Sequence, residues 1–231
     1  MVAVVTGATR GLGRALAFSL AEQGYDLALT SRNQKDLEHL KSEVTTTFSN
    51  QVFIRAADLS VKEDVLSFAQ VVMAEFDSID VLINNIGRYD VGKLTDDKND
   101  LELMLSTNVN SAYYLTKKIV TRMCEQEKGH IFNICSVLSL CPRVDAASYT
   151  ISKHALKGFN DVLREEMREH QVKVTAIYPG SINTSSWEGM MAPREKFVQP
   201  KDICEVVKTC LNVSINANIE EIVIKPLDKK Y

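Results

Sequence analysis

A chain of 231 residues, 45% apolar and 25% charged, has the material for one α/β domain with a large buried core. Its formal net charge of −3 leaves no basic stripe and argues against a nucleic-acid partner. No apolar run approaches a membrane span, and the N-terminus carries no signal-like segment, so a cytoplasmic protein is expected. The five cysteines, Cys124, Cys135, Cys141, Cys204 and Cys210, lack CxxC spacing and read as reduced core thiols without a metal.

Strand-like runs occur at residues 2–6, 25–31, 52–57, 81–84, 130–136, 172–178 and 219–224. Several are continuously apolar and β-branched, as strands covered on both faces are. Helical patterns lie between them. One follows Gly11, with Leu12, Ala15, Leu16, Ser19 and Leu20 at helical spacing, and others span 34–48, 62–76, 101–126, 149–170 and 202–211. This alternation predicts an α/β fold, a doubly wound parallel sheet of seven strands with helices on both faces. No linker or repeat divides the chain, so residues 1–231 read as one domain. The irregular segment 181–199 is expected to be a substrate loop.

The first strand ends in Thr6-Gly7-Ala8-Thr9-Arg10-Gly11-Leu12-Gly13. A strand, a glycine turn and a helix start suit a diphosphate, because glycines admit the phosphates and the helix N–H groups face them. The spacing is GxxxGxG rather than GxGxxG. Roughly twenty residues on, where an NAD site carries an acid, the sequence reads Thr30-Ser31-Arg32. A hydroxyl and a guanidinium suit a 2′-phosphate, with Arg10 in reach of it, so NADP(H) is the expected cofactor.

Carbonyl reduction needs a proton donor at the oxygen. Tyr149 and Lys153 stand four apart at the head of a helical pattern and share one face. An ammonium beside a phenol of pKa about 10 favours the phenolate and brings it toward neutral pH. Ser136 ends an apolar strand, at the sheet edge where doubly wound folds gather ligands.

Taken together, these pieces resemble the classical short-chain dehydrogenase/reductase family over essentially the full length. The matching residues are Thr6-Gly7-x-x-x-Gly11-x-Gly13, Asp58-Leu59, Asn84-Asn85-Ile86-Gly87, Asn108, Ser136, Tyr149-x-x-x-Lys153 and Pro179-Gly180-x-x-x-Thr184, in the family's order. The resemblance implies a Rossmann-type fold and a set of roles. Tyr149 would be the general acid in reduction, and Lys153 would lower its pKa and hold the nicotinamide ribose. Ser136 would bond the substrate oxygen, and Asn108 would hold a water linking Lys153 to solvent. Gly7, Thr9, Arg10, Gly11, Leu12, Gly13, Ser31 and Arg32 would bind the cofactor. Asp58 and Leu59 would flank adenine, and Asn84, Asn85 and Gly87 would line the ribose side. Pro179, Gly180, Ile182 and Thr184 would grip the nicotinamide and diphosphate.

Three positions depart from the family pattern: Ile86 replaces an alanine, Cys135 replaces a serine, and the ending Glu220-Glu221-Ile222-Val223-Ile224-Lys225-Pro226 replaces Val-Asp-Gly-Gly. The last argues against a 3-oxoacyl-carrier-protein reductase, which stays open as an alternative. Leu138, Arg143, Trp187 and Met190 are the main substrate-pocket candidates, with Tyr89, Cys141 and Met191 beside them. In detail the sequence is similar to bacterial sepiapterin-reductase-like enzymes and to 3-hydroxy acid dehydrogenases. An apolar Trp/Met loop favours reduction of a sepiapterin-like or diketone carbonyl, whereas a functional Arg143 would favour oxidation of a serine-type hydroxy acid. A catalytically inert NADP(H)-binding sensor is the alternative of another class. The apolar Val120, Met123, Phe159, Val162 and Met167 exceed the needs of one sheet contact, and the resemblance implies a homodimer or homotetramer through their helices.

Overall fold

The computed structural model describes residues 1–97, 100–187, 189 and 191–228. Strands β1 (Val2–Thr6), β2 (Asp26–Ser31), β3 (Val52–Ala56), β4 (Val81–Asn84), β5 (Gly129–Ile134), β6 (Val172–Pro179) and β7 (Glu221–Ile224) form one sheet. Its order is β3-β2-β1-β4-β5-β6-β7, parallel at every pairing. The order reverses between β1 and β4, which opens a crevice at the carboxyl ends of these two strands.

Among the described residues seven α-helices accompany the sheet: α1 (Gly11–Glu22), α2 (Gln34–Thr47), α3 (Lys62–Glu75), α4 (Leu101–Leu105), α5 (Ser111–Gln126), α6 (Ala147–Met167) and α7 (Pro200–Asn212). The period of two along a strand sorts its residues between two cores. Ala3 and Val5 join Leu16 and Leu20 of α1, Leu37 and Leu40 of α2 and Ile203 and Val207 of α7. Val2 and Val4 join Phe68 and Val72 of α3, Leu115 and Ile119 of α5 and Leu163 of α6. Burial on both faces is why these strands read as unbroken apolar runs.

Most expected boundaries shift by one to three residues, and three segments bear on the site. The strand expected at 130–136 ends at Ile134, so Ser136 lies in the following turn. The helix expected at 101–126 contains a π-helical turn, Ser106–Asn110, between α4 and α5. Segment 181–199 holds two short 3₁₀ turns, Ser185–Trp187 and Arg194–Lys196. Met123 and Met167, expected as surplus apolar surface, are buried in the chain's own core, where Val120 and Phe159 also pack. Val162 is exposed, as are Tyr113 and Ile151 on the same two helices. Of the cysteines, Cys135, Cys204 and Cys210 are buried, whereas Cys141 is exposed.

A buried polar ladder crosses the sheet beneath the crevice. Asn84 Nδ2 donates to Thr116 Oγ1 and to Asn133 Oδ1, both at 2.9 Å. Asn133 Nδ2 donates in turn to Asn160 Oδ1 at 2.9 Å. The ladder ties β4 and β5 to α5 and α6, and it takes Asn84 into the interior, away from the ribose side proposed for it. Asn133→Ala strands the Asn160 carbonyl and one Asn84 proton in an apolar interior. A loss of about 2–3 kcal/mol is expected, read as a lower urea midpoint with an unchanged m-value.

Candidate active site

The crevice is framed by two turns sewn to each other. Thr6 Oγ1 accepts from Asn85 N at 3.0 Å and Ile86 N at 3.1 Å and donates to Ile83 O at 3.3 Å. Asn85 Nδ2 donates to Thr6 O at 2.9 Å. A Cβ at Gly13 would fall inside the Gly7 carbonyl, and Gly7 adopts φ 64°, so this turn closes only with glycine. Its close approach leaves a bare backbone surface over the start of α1. No side chain caps α1, and no acid stands in its first turn. Unfilled N–H groups at a helix start and a glycine floor fit a diphosphate. Gly7, Gly11 and Gly13 would hold it by backbone. Leu12 is buried and serves the core.

At the adenosine end, Ala8 N donates to Thr30 O at 3.1 Å and Thr9 Oγ1 to Ser31 Oγ at 3.2 Å. These bonds lay the glycine turn over the end of β2. Arg32 is exposed there, and Arg10 pairs with Asp36 at 3.1 Å. Asp58 Oδ1 accepts from Ser60 Oγ at 2.7 Å and Ser60 N at 3.0 Å. Its carboxyl is held below the usual range, chiefly by the Ser60 hydroxyl, with a smaller contribution from Arg32. Leu59 is buried in the core, so its side chain does not reach an adenine.

Ser136, Tyr149 and Lys153 come together at the carboxyl edge of β5. Ser136 starts the 3₁₀ turn Val137–Ser139, its Oγ accepting from Leu138 N at 3.1 Å and its N–H donating to Ser139 Oγ at 3.2 Å. Tyr149 lies in the first turn of α6 and Lys153 one turn on. Lys153 Nζ sits 5.8 Å from the Tyr149 ring centroid and donates to Ile134 O at 2.9 Å. Tyr89 meets the Tyr149 ring edge-on at 4.8 Å. Burial pushes the Tyr149 phenol up to about 12, opposed by the Ser136 hydroxyl beside it. Burial also pushes Lys153 down to about 8. Desolvation thus disfavours the charged form of both groups, and for the phenol it acts opposite in sign to the expected lowering. Cys135, beside Ser136, is a buried thiol raised to about 11, chiefly by burial.

A Cβ at Gly87 would lie 3.6 Å from both Asn108 Oδ1 and Lys153 Nζ, so Gly87 leaves open the space between them. The Asn108 amide bonds protein groups through both of its atoms. Its Oδ1 accepts from Arg88 N at 2.7 Å, and its Nδ2 donates to Arg88 O at 3.0 Å and Ser152 Oγ at 2.9 Å. Ser152 Oγ donates onward to Tyr149 O at 2.7 Å. Asn108 lies within the π turn, a distortion frequent at functional sites. Sequence reasoning missed Ser152, Thr6 and Asp36. Ser152 stands next to Lys153, but its neighbourhood in the chain gives no sign of the distant partner.

Beyond β6, Gly180 is packed closely, since a Cβ there would meet Pro226 at 2.9 Å. Pro179 closes β6, and Ile182 bridges to Val198. Thr184 Cγ2 stands 3.0 Å from where a Gly11 Cβ would be, placing this loop against the glycine turn. Trp187 packs on Phe197, centroids 4.9 Å apart. Met191 is exposed, and Met190 lies outside the described residues. Leu138 is half-buried beside Ser136, and Cys141 is exposed and donates to Val137 O at 3.3 Å. Arg143 forks onto Asp145, with Nε to Oδ1 at 2.7 Å and Nη2 to Oδ2 at 3.1 Å.

The family profile described as short chain dehydrogenase matches residues 1–194. An uncharacterized oxidoreductase of Staphylococcus aureus is 30% identical over 227 residues, covering 98% of this chain and 97% of the relative. A metagenomic short-chain oxidoreductase solved in complex with NADP superposes with a TM-score of 0.85 at 32% identity, covering 99% and 98% of the two chains. The closed form of a serine dehydrogenase complexed with NADP+ gives 0.87 at 26%, covering 100% and 97%. The chain belongs to the short-chain dehydrogenase family of oxidoreductases.

Proposed function

We propose that the protein is an NADPH-dependent reductase that converts a ketone to a secondary alcohol. The observation that carries this reading is the half-buried Tyr149 phenol, set beside the Ser136 hydroxyl and one helical turn from Lys153, next to the glycine turn. Gly87 would leave room for a nicotinamide, which when bound would supply the hydride. Ser136 donates to the carbonyl oxygen, and Tyr149, protonated at neutral pH, gives that oxygen its proton. The Lys153 ammonium stabilises the phenolate left behind. Asn108 acts through Ser152, holding the start of α6 to the turn after β4. Arg32, Ser31 and Thr9 form a hydroxyl-and-guanidinium edge that suits a 2′-phosphate, and NADP is the nucleotide named in both solved relatives.

The substrate reading rests on Arg143 and Tyr89. Arg143 forks onto Asp145 through Nε and Nη2, a pairing that competes with any role as the anchor of a substrate carboxylate. Gly92 N donates to Asp145 O at 2.8 Å and Ala147 N to Gly92 O at 2.9 Å, joining the two loops beside Tyr149. Tyr89, Leu140 and Val144 are exposed along them. An uncharged diketone or flat aromatic carbonyl of the sepiapterin type fits this rim. The second reading, an NADP-dependent 3-hydroxy acid dehydrogenase, draws on the likeness to the serine dehydrogenase. Association into a homodimer through α5 and α6 is supported by the exposed Tyr113, Ile151 and Val162.

Purified protein is expected to consume NADPH with diacetyl or sepiapterin. Tyr149→Phe should lower kcat by about a hundred- to ten-thousandfold while nucleotide binding persists. Turnover of serine or 3-hydroxyisobutyrate with NADP, and of no carbonyl, would move the assignment to the second reading. The pH profile carries its own test. Lys153 is depressed to about 8 and Tyr149 raised to about 12, so below pH 8 the ammonium and the neutral phenol coexist. The kcat/KM for NADPH should be flat between pH 6 and about 8 and fall above it as Lys153 loses its proton. A profile that stays level to pH 10 would rule this out.

A further inference from the structure

Arg10 is not a free cation waiting for a phosphate. Asn33 caps α2 by accepting from Lys35 N at 2.9 Å and Asp36 N at 3.3 Å. That cap fixes Asp36 in the first turn of α2, close behind Arg32 and the end of β2. From the other side, the Thr9–Ser31 bond brings the glycine turn to the same strand end. Arg10 then reaches Asp36, Nη2 to Oδ2 at 3.1 Å, with the arginine side chain 72% exposed and the aspartate 34%. Two arginines, Arg10 and Arg32, therefore share this lip with the carboxylates of Asp36 and Asp58.

We propose that Asp36 is a specificity-determining residue for the nucleotide: its carboxylate competes with the 2′-phosphate for Arg10 and holds down the preference for NADPH over NADH. The proposal rests on the NADP reading above. A phosphomonoester carries about −1.5 to −2 charges at pH 7. To bond Arg10 it must break the Arg10–Asp36 pair and then lie beside the released carboxylate. A 2′-hydroxyl carries no charge, leaves the pair intact and loses nothing. Asp36 thus penalises only the phosphorylated nucleotide. Asp58 is less suited to this competition, since one of its oxygens is occupied by Ser60.

The scale follows from the pair's exposure, because a solvent-screened ion pair is worth about a fivefold change in binding or less. Calorimetric titrations of the full chain with 2′-AMP, 5′-AMP, NADPH and NADH test this without reference to turnover. Asp36→Asn should tighten 2′-AMP and NADPH about three- to fivefold, leave 5′-AMP and NADH within twofold, and lose its effect at high salt. In an Arg10→Met background the gain should vanish. A wild type that favours 2′-AMP, with no further gain in Asp36→Asn, overturns the role of Asp36 alone. An equal gain in the Arg10→Met background shows simple repulsion and overturns the competition. Equal binding of 2′-AMP and 5′-AMP by wild type and by Arg32→Met overturns the 2′-phosphate assignment, and the proposal with it.

Discussion

The Thr6 hydroxyl is the bond on which the rest of the crevice depends. A parallel sheet whose order reverses must part its loops between β1 and β4, and nothing in the strand ladder holds the two strand ends at a set distance beyond their last pair. Thr6 Oγ1 does so by accepting two backbone N–H groups from the turn after β4 and returning its proton to Ile83 O. Asn85 closes the same seam from the opposite side. With that seam fixed, the glycine floor, Gly87 and the head of α6 keep one geometry relative to each other. The absence of a Cβ at Gly13 lets the turn descend this far; any side chain there would lift it off the sheet.

The fold was legible because both sheet faces are covered. Continuous apolar runs and intervening amphipathic stretches have few other solutions, and the residues that carry the alternation also fill the two cores. Boundaries were less legible. Ser136 looked like a strand residue by composition, yet its hydroxyl caps a turn. The π turn at Ser106–Asn110 adds one residue to a helical circuit without changing which residues are apolar, so periodicity could not reveal it.

The candidate site was legible where backbone geometry demands a residue type and obscure where partners are distant in sequence. Glycines at a positive φ or under a close contact announce themselves. Gly180 was legible as a loop glycine after a strand, but its crowding by Pro226, which follows β7, was not. Arg143 read as a free cation because a two-residue pairing in a loop has no periodic signature. Asp36 carries no pattern that sets it apart, since an acid in a first helical turn is favoured by the dipole alone. Only the meeting of two loops shows that it faces Arg10.

Burial at the head of α6 acts on Tyr149 and Lys153 in one direction, toward neutrality, and this gives the proposed reaction its resting state. A phenol raised to about 12 keeps its proton at neutral pH, while an ammonium lowered to about 8 is largely charged there. The pair therefore rests as donor and cation rather than as a phenolate–ammonium ion pair, the arrangement suited to giving a proton rather than taking one. Lys153 can carry its charge in this interior because Ile134 O accepts from it at 2.9 Å. Asn108 and Ser152 meanwhile hold the backbone at Tyr149. This is the protonation state that the proposed reduction needs near pH 7. The opposite direction requires the phenol to give up its proton first, against the same burial that keeps it there.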